Sequence, residues 1–207
     1  MSYRFNSKFK IQNSKFFWGS VLSLGIVLVL GGNRAEALPG ESTDRVLAWI
    51  NANPTLRPGI GDGLLVKKSD SAAQQFTFQA TVLPPGRITF VQDRGTIRSE
   101  RIAIYDKING VTPERLTESL RVIYNPSIYQ DYDRARIVYS YPAPETVDIG
   151  RRQNRPLVAA QQGELRLGER FAYWMEVTKT NGKAFNGQLT IFLKEDVDKL
   201  ETELRDR

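Results

Sequence analysis

The chain has 207 residues, 29 of them Lys or Arg and 23 Asp or Glu, and it contains neither His nor Cys. That absence removes Ser-His-Asp triads, thiol nucleophiles, His-ligated zinc and imidazole proton shuttles from what the chain can do unaided. Residues 1–37 hold Arg4, Lys8, Lys10, Lys15 and Arg34 against Glu36, which leaves 24 basic and 22 acidic residues in the rest of the chain. That remainder is nearly neutral, so the basic overall balance is no argument for a nucleic-acid partner.

The N-terminus carries the clearest signal. A basic start precedes an uncharged, mostly apolar run over 16–32, and Ala35-Glu36-Ala37 presents small residues where a signal peptidase reads them. We read residues 1–37 as a cleaved signal peptide and 38–207 as a single globular domain. An uncleaved anchor is the alternative, and it would be the chain's only membrane association. The expected location is an exported one: a bacterial periplasm, a thylakoid lumen or the extracellular space. Without cysteine, stability there must come from packing.

Residues 41–53 form the first predicted helix, with Ser42 or Thr43 as cap and Val46, Trp49 and Ile50 on one face. Asn53-Pro54 ends it. The glycine-rich loop 58–63 lacks the Gly-Lys-Ser/Thr of a phosphate cradle and reads as turns. Strands are predicted over 64–67, 75–83, 87–92 and 97–106, joined by connections too short for parallel crossovers. Thr112-Pro113-Glu114 opens a second helix over 112–124, stopped by Asn125-Pro126. Asp131-Tyr132-Asp133 reads as a turn before a strand over 134–141, whose Ala135, Ile137, Tyr139 and Tyr141 fall on one side. The proline-bearing stretch 141–156 reads as irregular, and 157–167 as strand.

The hairpin over 170–193 is the centre of the predicted sheet. Phe171, Tyr173, Met175 and Val177 alternate before Asn181-Gly182, and Phe185, Leu189, Ile191 and Leu193 after it. A plain two-residue turn would place these rows on opposite faces. One irregularity is therefore required, either a three-residue loop at 180–182 or a bulge at Asn186-Gly187. A charged amphipathic helix over 196–207 closes the chain.

The predicted fold is α+β: an antiparallel sheet of six or seven strands with flanking helices on one face, or alternatively a partly closed β-barrel with helices. No cofactor or metal is implied. Asp131 and Asp133 lack the further oxygens and glycine bend of a calcium loop. Asp131, Asp133 and Glu176 are candidates for a carboxylate pair, although Glu176 is expected to be solvated. No Ser-x-x-Lys follows residue 37. The candidate binding residues are Tyr124, Tyr129, Tyr132, Arg151, Arg152 and Arg155, because tyrosine and arginine join flat contact surface to hydrogen-bonding capacity. The expected function is an exported, non-catalytic protein binding a protein or envelope glycan. A carboxylate-based hydrolase of an envelope polymer and a small-ligand carrier are the alternatives.

Overall fold

The computed structural model describes residues 38–91, 93–180 and 182–207, so the predicted export segment and its cleavage site lie outside the described residues. Among the described residues no helix is long and apolar enough to cross a membrane.

Seven strands make one sheet: β1 (Leu65–Ser71), β2 (Gln74–Thr81), β3 (Ser99–Asp106), β4 (Arg136–Tyr141), β5 (Gln161–Leu167), β6 (Ala172–Thr180) and β7 (Lys183–Phe192). Their order is β1-β2-β3-β7-β6-β5-β4, every neighbouring pair antiparallel. The strands at the two ends do not meet, so the sheet is open and the barrel alternative does not form. The α+β expectation holds.

The β6–β7 hairpin carries the expected single irregularity, and it is a bulge. Thr180 pairs with Lys183 and Lys179 with Ala184, but Thr178 pairs with Asn186. Phe185 is the extra residue. Beyond it odd positions face odd ones, so Tyr173, Met175 and Val177 share a buried face with Leu189 and Ile191. Between bulge and turn the parity is reversed, and Ala184 faces the core in place of Phe185.

Helices α1 (Thr43–Ala52), α2 (Pro113–Ile123) and α3 (Pro126–Arg134) cover that face. Ser42 Oγ accepts from Arg45 N and Thr112 Oγ1 from Arg115 N, so both predicted caps form. Asn125-Pro126 does more than stop α2. Asn125 Oδ1 accepts from Ser127 N and Ile128 N, and the proline takes the first position of α3. Asp131-Tyr132-Asp133 is therefore helical, a correction to the expected turn. Residues 144–160 also hold two helices, α4 (Pro144–Arg152) where irregular chain was expected and α5 (Pro156–Ala160) over the start of the stretch expected as strand. Each starts on a proline, whose missing N–H costs nothing there.

Two further expectations fail for topological reasons. Residues 87–91 form no strand, and residue 92 of the expected strand lies outside the described residues. β2 and β3 pair directly over eight positions, which leaves no edge between them, and Ile88 and Phe90 stay exposed. In β4 the register shifts between Ile137 and Tyr139. The predicted single row is thereby split: Ala135 joins the first core, Ile137 is exposed, and Tyr139 and Tyr141 pack into a second core on the opposite face.

That second core is built by α6 (Val197–Arg205). Leu200 and Leu204 are buried against Leu165, Trp174 and Phe192. Helices thus lie on both faces of the sheet, a correction to the single flanked face expected: the apolar stripe of α6 needs a surface of its own.

Candidate functional site

The pairing register places Gln79 (β2), Arg101 (β3), Thr190 (β7), Trp174 (β6), Leu165 (β5) and Tyr139 (β4) in one row across the sheet, all on the face that carries α6. The row changes character midway. Trp174, Leu165 and Tyr139 lie under α6, whereas Gln79 and Arg101 lie beyond it. A cleft of about 550 Å³ opens at this boundary, bounded by α6, by the loop after β2, and by β2, β3 and β7 as its floor.

The loop wall is strapped to α6. Glu203 accepts a 2.7 Å hydrogen bond from Arg87 N, and Lys199 Nζ donates to the carbonyls of Pro85 and Arg87, each at 3.1 Å. Gly86 permits this approach: its φ is +89°, and a Cβ there would lie 2.1 Å from Glu203 Oε2. Burial pushes the Glu203 carboxyl up, but Lys199 and the Arg87 N–H outweigh it and leave it below the usual value. Among the described residues Glu203 is the one carboxylate in the lining, and it is held by this strap.

The opposite end is closed by Arg207. Arg207 pairs with Glu176 at 2.6 Å and lies 5.3 Å from the centre of the Trp174 ring. Tyr141 donates to the same Glu176 oxygen at 2.5 Å and accepts from Trp174 Nε1 at 2.8 Å. Glu176 is therefore buried within a network, contrary to the expected solvation, because α6 covers its face of the sheet.

Between these ends several polar groups remain uncommitted. Arg101 donates to Gln79 Oε1 at 2.6 Å, and among the described residues no carboxylate reaches it. Thr190 is 2% exposed, and its Oγ1 finds no hydrogen-bond partner among the described residues. Gln188 lines the same floor. A buried hydroxyl without a partner is costly, and this one lies beneath the floor, out of reach of solvent.

The residues singled out in the sequence lie elsewhere. Tyr124 is buried beneath Trp49, with ring centres 5.7 Å apart, and donates to Glu100 at 2.6 Å. Tyr132 is buried and donates to Glu164, with Arg166 over its ring. Tyr129 is half-buried on α3. Arg152 ends α4 and Arg155 follows it, both exposed; Arg151 is in the same turn, its side chain outside the described part. Among the described side chains, none of the six lines the cleft, and Tyr124 and Tyr132 are buried. Asp131 accepts from the backbone N–H of Glu169, Arg170 and Phe171 and from the Tyr173 hydroxyl, so it clamps the β5–β6 turn. Gln79, Arg101, Gln188 and Thr190 went unnoticed because each is an ordinary polar position on an alternating strand. Only cross-strand pairing gathers them.

No family model, no curated protein and no solved structure matches this chain.

Proposed function

We propose that the protein is an exported, non-catalytic binding protein that holds an envelope component in the cleft between α6 and strands β2, β3 and β7. The observation that carries this reading is Arg101 on the floor between Gln79 and Gln188, a cation that no carboxylate reaches among the described residues. The cleft's size suits a group of a few rings or residues. Its single, strapped carboxylate supports binding over hydrolysis, since a glycosidase-like reaction needs two acids flanking the bond. Export rests on the basic, apolar and small-residue pattern of residues 1–37.

The test is amide chemical-shift mapping while soluble envelope fragments are titrated into the protein. Perturbations centred on Gln79, Arg101 and Thr190, with affinity lowered about tenfold or more by Arg101→Ala, are the expected result. Binding that survives this change but disappears on replacing Arg151, Arg152 and Arg155 with Ala would move the site to α4. Mass spectrometry of the native protein checks export: an N-terminus at Leu38 is expected, and one upstream of Arg34 would contradict cleavage.

A further inference from the structure

Resting on that cleft as the binding site, we propose that its ligand is a carboxylate-bearing saccharide, with Arg101 holding the carboxylate. Charge gives the sign. Arg87, Arg101 and Arg207 line the cleft against Glu203. Arg207 is engaged by Glu176, and Glu203 by Lys199, which leaves Arg101 as the cation on the floor with only an amide for company. A guanidinium fork flanked by neutral groups matches a planar monoanion. A phosphate would call for more donors, and the floor is made of strands, with no helix N-terminus presented to it.

The neutral groups point to a saccharide. Gln79 and Gln188 each donate and accept, as sugar hydroxyls do. A peptide is disfavoured by topology. β2, β3 and β7 each have a hydrogen-bonded strand on both sides, so the cleft offers no edge on which an extended peptide could add as a strand. The surface also continues. On the same face beyond the cleft lie Thr77, Gln75 and Tyr105, in pairing register with Ala103 and with each other. Tyr105 is half-buried and offers an aromatic ring to a sugar's C–H face, and the track gives a polymer room to extend.

The experiment is calorimetric titration of the full chain, produced with residues 1–37 in place and purified in whatever form processing leaves. Three probes are compared: a tetramer of galacturonic acid, the neutral glucose tetramer, and N-acetylated tetra-alanine with a free carboxylate. Binding of the acidic tetramer alone is expected, weakening as salt rises from about 50 to about 500 mM. Arg101→Gln should weaken it about tenfold or more. Gln188→Ala should weaken it several-fold, because a donor and acceptor facing the sugar is gone. Equal affinity for the neutral tetramer would overturn the carboxylate requirement and leave the cleft reading standing. Binding of the peptide alone would overturn the saccharide. Failure of all three probes would overturn this assignment, while the mapping with envelope fragments judges the cleft separately.

Discussion

Glu100 Oε2 accepts the Tyr124 hydroxyl at 2.6 Å, while Oε1 has no partner and the side chain is out of reach of water. Burial pushes this carboxyl up to about 7, and the Tyr124 bond offsets only part of that. The folded state therefore keeps a proton that the unfolded chain releases near 4.5. Stability falls as pH rises from 4.5 to 7 and stays lower above, by about 3 kcal/mol from this group. Urea denaturation of the protein and of Glu100→Gln at pH 4.5 and 8 checks this: the variant's relative stability should grow by about that amount at the higher pH. A constant difference would mean that Glu100 titrates normally. Asp106 works in the opposite sense. Its carboxyl is held well below the usual range, chiefly by the Asn109 N–H, with Arg115 and Gln74 adding to it. Its contribution is present near neutrality and is lost only in strong acid. Asp131 is a third structural acid, and Asp131→Ala leaves three backbone N–H groups of the β5–β6 turn without their acceptor. We expect a loss of about 3 kcal/mol in denaturant unfolding.

At the scale of elements, local chemistry predicted well wherever it was self-contained. Thr112-Pro113-Glu114 starts a helix in any context that leaves its N-terminus free, and it does so here. Thr112→Ala should cost about 1 kcal/mol, read as a lower urea midpoint at unchanged slope. The hairpin's need for one irregularity was legible too, because parity alone demands it. The choice of bulge over longer loop was not legible, since both satisfy the same parity. Proline misled in the opposite direction: Pro126, Pro144 and Pro156 read as breakers, yet each opens a helix. A proline's effect depends on whether its N–H was needed, and that is decided by where the helix begins. Residues 87–91 show the reverse error. Their alternation is strand-like, but a strand needs a neighbour, and β2 and β3 had already taken each other.

At the scale of the whole molecule, α6 divides one sheet face into a covered apolar half and an open polar half, and the cleft lies at the division. Leu200→Ala should cost about 3 kcal/mol, because the side chain is fully buried over Trp174 and Phe192. Thermal unfolding should show one cooperative transition at lower temperature. An unchanged melting temperature would mean that α6 does not pack on the sheet. The sequence by itself determined the fold class, the antiparallel pairing and the helix caps, because periodicity, turn residues and capping chemistry act over a few neighbouring residues. The tyrosines of the candidate site were visible as a compositional cluster, but burial was not, and Tyr124 and Tyr132 went inside to satisfy Glu100 and Glu164. Tertiary structure alone decided the strand order, the second core and the cleft. Arg101 and Thr190 lie 89 positions apart in the sequence and become neighbours only when β3 and β7 pair. Long-range pairing leaves no local trace on either strand, so the residues it joins look like any other polar positions until the sheet is assembled.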